Sequence, residues 1–141
     1  VQGVVPEPTV GLLVANNLVV MVLLLASGLT LGLGTAVILL YNGFIVGYVV
    51  VLVARTEGVV VPVVGILPHG VLEVPAILVA SAVAFRFSHQ VLGAATGRRE
   101  DVMTRGELRD AVLLAALALA LIPVAAYVEA TVTTELVAGY R

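Results

Sequence analysis

The sequence predicts an all-α fold: a polytopic membrane helical bundle with four spanning helices plus a short broken or re-entrant segment. Three observations carry this. Hydrophobic residues make up 61 % of the 141 positions and charged residues 11 %, where a soluble domain carries about 25 % charged residues. The mean hydropathy is +1.18. No charged side chain occurs from Pro8 to Ala54, a stretch long enough for two crossings of roughly 20 residues each. Valine-rich segments favour strands in water, but a lone strand in lipid leaves its backbone groups unsatisfied, so helix is the expected form. The apolar blocks also lack the polar–apolar alternation of a transmembrane barrel.

The elements follow in order within a single membrane domain over residues 1–141. Residues 1–9 have no basic region and read as a polar lead-in, not a signal peptide. The chain opens on Val1 and not on Met, so its natural N-terminus is expected further upstream. Helix 1 is expected at about 10–31 and helix 2 at about 35–55, separated where Gly28, Gly32 and Gly34 lower helix preference. Arg55, Glu57 and Gly58 end helix 2. The next block contains Pro62, Pro68 and Pro75, and two readings compete there. Residues 59–67 form a short re-entrant or interfacial segment followed by a spanning helix at 68–96, or the whole block is one kinked span. The first is preferred, because proline suits the first turn of a helix and residues 59–67 are too few to cross alone. Helix 4 is expected at about 109–131, with Pro123 inside it.

The loop at 98–110 carries Arg98, Arg99, Arg105 and Arg109 against Glu100, Asp101, Glu107 and Asp110. The arginine bias assigns this loop to the cytoplasm, and the Arg55–Gly58 turn to the outside, of a multi-pass protein of the cell membrane. Mixed charge of this kind is first of all a solvated loop.

Composition also limits the chemistry. The chain contains neither cysteine nor lysine, which excludes disulfides, thiolate metal sites, Schiff-base catalysis and the phosphate-loop lysine within it. A net charge of −2 offers no basic face for nucleic acid. No HExxH, GxSxG or paired-aspartate pattern occurs. No catalytic residue, metal ligand or cofactor is therefore assigned, and the chain is not expected to be an enzyme. The expected partners are the lipid bilayer and other membrane proteins or further copies of the chain.

Polar residues inside apolar blocks are the candidate functional groups, because each is expensive in hydrocarbon. His69 and Glu73 are four residues apart, on one face of a helix. Glu73 precedes Arg86 by a distance of about 20 Å along a helix, and Glu129 stands about 28 Å beyond Asp110. Asn16 and Asn17 enter the membrane from the same side. His69, Glu73, Glu129, Asn16 and Asn17 are thus expected to form one polar intramembrane cluster. Its first reading is a hydrogen-bonded network that fixes helix packing. A proton or ion relay, a metal site and hydrolytic catalysis are the alternatives. Asn42, Gly43 and Gly47 are the helix-packing candidates, since a GxxxG pair in mid-helix permits close backbone approach.

The run Ile66-Leu67-Pro68-His69-Gly70-Val71-Leu72-Glu73-Val74-Pro75-Ala76-Ile77 resembles the LPHGxxE signature of the stage II sporulation protein M family. Asn16-Asn17, Gly32-Leu33-Gly34-Thr35, Tyr41-Asn42-Gly43 with Gly47, and Glu129 with Thr131 extend the resemblance in order over nearly the whole chain. The resemblance implies a multi-pass membrane protein without catalytic activity and a further helix upstream. It also implies a scaffold role, which in spore-forming bacteria is exercised with peptidoglycan-degrading partners during engulfment. Because relatives occur in organisms that do not sporulate, sporulation itself is not assigned to this chain. The expected function is a non-enzymatic scaffold or subunit of a membrane complex. The alternatives are a small transporter or permease component using His69, Glu73 and Glu129, or an intramembrane metalloenzyme.

Overall fold

The computed structural model describes residues 9–140; the lead-in read at 1–9 therefore lies outside the described residues except for Thr9. Helix α1 (Val10–Ala26) runs into a 3-10 turn (Ser27–Thr30), followed by α2 (Leu33–Glu57), α3 (Val60–Ala95) and α4 (Arg105–Val128). A π turn (Glu129–Thr133) and the short α5 (Thr134–Ala138) continue α4. Among the described residues four spans are long and apolar enough to cross a membrane: Val10–Thr30, Leu33–Glu57, Val60–Ala95 and Arg105–Ala138. The chain runs up and down, so the bundle has two ends. The loop end carries the Ser27–Gly34 turn and the Thr96–Thr104 connection, and the far end carries the Arg55–Gly58 turn and α5.

Residues 59–67 do not form a separate re-entrant piece. Val60 to Ala95 is one continuous helix with Pro68 and Pro75 inside it. Pro62 falls in the first turn, where the missing N–H has no helical acceptor anyway. Each inner proline removes one backbone bond, but in a spanning helix the alternative is irregular backbone in lipid, which loses several more. At 1.5 Å per residue α3 reaches about 54 Å, well beyond a hydrocarbon core of about 30 Å. It must tilt or project, and its Arg86–Gln90 stretch supplies the polar side chains for projection at the loop end.

The boundaries are set by local chemistry. Thr9 caps α1 by accepting the Leu12 N–H. The turn after α1 is held by its own hydroxyls. The Thr30 hydroxyl donates to the Ser27 carbonyl at 2.6 Å and accepts the Gly34 N–H at 2.7 Å. Leu31 and Gly32 then take left-handed conformations, with φ of 54° and 88°, which reverses the chain. The three-glycine turn expected from the sequence is therefore present. At the end of α3, Gly97 has φ 70°. Its N–H bonds to Ala94 and that of Arg98 to Gly93, the paired closure that lets a left-handed glycine terminate a helix. Thr104 and Glu107 form a reciprocal capping box that opens α4.

The core lies between α1, α3 and α4, with Met21, Leu24, Ala76, Ala80, Ala118 and Ile122 as its buried cluster. Alanine spacing lets α3 approach its neighbours closely, α1 and α4 at Ala76 and Ala80 and the Ser27–Thr30 turn at Ala84 and Ser88. Ala76, Ala80, Ala84 and Ser88 recur every four residues on α3, all buried. Such a stripe lets two helix backbones approach, and dispersion then replaces the hydrophobic effect that lipid cannot supply. By contrast α2 lies at the edge, and its Leu40, Tyr41, Phe44 and Tyr48 are exposed.

Candidate functional site

At the far end, α3 presents His69 and Glu73 one turn apart, both half-buried. The π turn presents Glu129, half-buried, and Thr133, buried. His69 Nδ1 and the Thr133 hydroxyl lie 3.4 Å apart and link α3 to the π turn. Glu73 is within electrostatic reach of both His69 and Glu129. The cluster expected from spacing alone is thus brought together for these three residues. Thr133 is a fourth member that sequence reasoning missed. Its signal was a threonine one turn beyond Glu129, but a turn of this type shifts the face that each residue presents, which spacing at 3.6 residues per turn does not anticipate.

The sequence builds this end with unusual backbone. Pro68 and Pro75 leave the carbonyls of Val64 and Val71 without their usual helical donors. In the π turn, the Thr134 hydroxyl donates to the Glu129 carbonyl at 3.2 Å and the Thr131 hydroxyl to Tyr127 at 2.7 Å. Threonines therefore satisfy part of what the irregular turn gives up. Two cavities border it, of about 520 Å³ and about 290 Å³, and both are lined by Gly65, Glu129 and Val137. Leu13 of α1 lines the first and Val50 of α2 the second, so α1, α2 and α3 each meet the π turn and α5 here. Such a site has two carboxyl groups, an imidazole and a hydroxyl, which can exchange a proton or receive a cationic group. Among the described residues no three His, Cys, Asp or Glu side chains converge in a geometry that holds a metal ion.

Asn16 and Asn17 do not complete the cluster. Asn16 Nδ2 donates to Asn17 Oδ1 at 3.4 Å, and neither amide bonds to His69, Glu73 or Glu129 among the described residues. Asn16 instead lines a groove between α1 and α2, facing Tyr41 and Asn42. The groove encloses about 500 Å³. Asn42 Nδ2 donates to Ile38 of its own helix at 2.8 Å and makes no other hydrogen bond among the described residues. Gly43 and Gly47 are not packed within the chain either. A Cβ built on either meets nothing within 4 Å. The close approach they were expected to provide is made elsewhere, by the α3 alanines and by Gly28, whose Cβ would lie 3.0 Å from the Ala84 carbonyl oxygen. The glycine pair faces outward because α2 meets its neighbours along its other side.

A family model described as Stage II sporulation protein M matches residues 5–134. Over 125 residues the chain is 31 % identical to an uncharacterized protein of Methanocaldococcus jannaschii, covering 88 % of this chain and 70 % of that protein. No solved structure matches.

Proposed function

This chain belongs to the stage II sporulation protein M family, and we propose that it acts as a non-enzymatic scaffold, a subunit of a complex in the cell membrane. One observation carries the reading: the α1–α2 groove presents two side-chain amides from opposite walls, Asn16 and Asn42, in a lipid-facing setting. Each amide makes one hydrogen bond within the chain, Asn16 to Asn17 and Asn42 to Ile38; its remaining donor and acceptor capacity is unfavourable to leave unused in hydrocarbon, and a helix from a partner protein or a second copy satisfies it. The exposed Tyr41 on the groove wall belongs to the same surface. A photo-cross-linking residue placed at Leu23, on the groove wall, tests it in living cells. The expected result is a protein adduct that disappears in Asn16→Leu/Asn42→Leu and is absent when the cross-linker is at Leu113, an exposed position on α4. Equal adducts at Leu23 and Leu113, or none at either, would remove the scaffold reading.

Within this proposal the 98–110 loop is cytoplasmic and the Arg55–Gly58 turn external, by the arginine bias. Cysteines introduced at Thr104 and Thr56 can be labelled with an impermeant reagent on intact cells. Labelling at Thr56 alone is expected; labelling at Thr104 alone reverses the orientation.

A second reading, a small transporter component, is supported by the two cavities that meet at Glu129. Comparison of Glu73→Gln with Glu73→Leu separates the two. For a relay, Glu73→Gln alone abolishes function with the fold intact. For a structural role it is mild, and only Glu73→Leu, which strands its polar neighbours, destabilises the bundle.

A further inference from the structure

We propose that the groove where the Ser27–Thr30 turn, α3 and α4 meet at the loop end is a binding site for an anionic phospholipid. One acyl chain lies against Phe87 and Leu108, and Arg105 and Arg109 hold the headgroup phosphate. The groove encloses about 390 Å³ and its walls are apolar, with Leu29 from the turn, Val83 and Phe87 from α3, and Leu108 and Val112 from α4. Met103 also lines it, although it comes from the most charged stretch of the chain. A hydrocarbon chain is the occupant that such walls fit in a bilayer. The headgroup selectivity comes from the rim.

Arg105, Leu108, Arg109 and Val112 follow at i, i+3, i+4 and i+7 on α4, so the two arginines share a helix face with two residues of the groove wall. Both arginines are exposed. Arg105 has no ion pair or hydrogen bond among the described residues. Among the described residues Arg109 meets only Asp110, its chain neighbour, at 3.3 Å in an exposed pair, which water and salt weaken. Formally the loop balances its charges, but one of its carboxylates is engaged away from the groove. Glu107 is engaged by Arg99 at 2.7 Å and lies 3.9 Å from Arg86, so its charge is spent towards α3. Glu100 and Asp101 sit in the connection before α4. The rim beside Leu108 is left cationic, at the N-terminal end of a 24-residue helix whose dipole adds to the positive potential. Basic rims over apolar clefts between spanning helices are the sites where anionic headgroups are held.

The test uses the full purified chain and native mass spectrometry from detergent, with dioleoylphosphatidylglycerol and dioleoylphosphatidylcholine as probes. The wild type is expected to retain the phosphatidylglycerol at least about tenfold better, since each arginine near a headgroup contributes about fivefold. Arg105→Gln/Arg109→Gln should remove that preference with an unchanged melting temperature. Arg55→Gln, at the opposite end, should leave it intact. Ala111→Phe, which fills the groove, should release both lipids. Glycerol 3-phosphate, a headgroup without chains, should not displace the bound lipid. Equal retention of the two lipids by the wild type overturns the proposal. So does a preference that survives the double arginine variant, or lipid displaced by glycerol 3-phosphate, which would assign a free phosphate site instead.

Discussion

The two ends of the bundle handle polar groups in opposite ways. At the loop end, hydroxyls are matched almost one to one. Ser27 and Thr35 share a hydrogen bond at 2.7 Å, Ser27 also donates to Leu24, and Ser88 donates to the Gly28 carbonyl at 2.7 Å. Thr35 is fully buried, and Glu107 satisfies both Arg99 and its own helix start. The one exception is the buried Gln90 Oε1, which has no hydrogen-bond partner among the described residues. At the far end, His69, Glu73 and Glu129 are only half-buried; among the described residues His69 makes one long contact with Thr133, and His69 and Glu129 open onto cavities. The difference teaches which polar groups hold the fold. Satisfied, buried hydroxyls contribute to stability and specify one packing. Partly satisfied ionisable groups at a cavity cost stability and do not hold the fold.

That contrast can be broken by substitution. The largest effect is expected from Gly28→Leu, whose side chain must enter space held by the Ala84 backbone and Phe87. A loss of about 3 kcal/mol in detergent-unfolding stability is expected, at the upper end of overpacking penalties. An unchanged midpoint would mean that the turn does not clamp onto α3. Thr35→Val comes next. It removes the partner of the Ser27 hydroxyl and should cost about 1–2 kcal/mol by the same measurement. Glu129→Gln should cost less than about 1 kcal/mol, since it removes a group already exposed to a cavity; lost cellular function with that stability intact would favour the transporter reading over the scaffold. A loss as large as that of Thr35→Val would make the far end as structural as the loop end. Gly47→Leu should leave the unfolding midpoint of the isolated chain within about 0.5 kcal/mol, as an exposed substitution, because a Cβ there meets no atom within 4 Å. A changed distribution of oligomers or partners in a cross-linking gel, with that midpoint constant, would place the face at an interface.

Much of this architecture is local and so legible in the sequence. Hydropathy over some 20 residues reports the cost of leaving backbone and side chains in lipid, and it located all four spans. Glycine reports backbone geometry, and Gly28, Gly32 and Gly34 located the Ser27–Gly34 reversal. Helical spacing put His69 and Glu73 on one face, and rise per residue put Glu129 at their level. What spacing could not give is which face of each helix meets a neighbour. A helix that is apolar all round carries no amphipathic signal, so nothing in the local pattern separates its buried side from its lipid side. For that reason Gly43 and Gly47 were expected inside and lie outside, while Ala76, Ala80 and Ala84 took the contact. The continuity of α3 through Pro68 and the irregular turn that brings Thr133 to His69 were also decided only by the tertiary structure. Proline and threonine tolerate either backbone locally, and packing against the neighbouring helices selects between them.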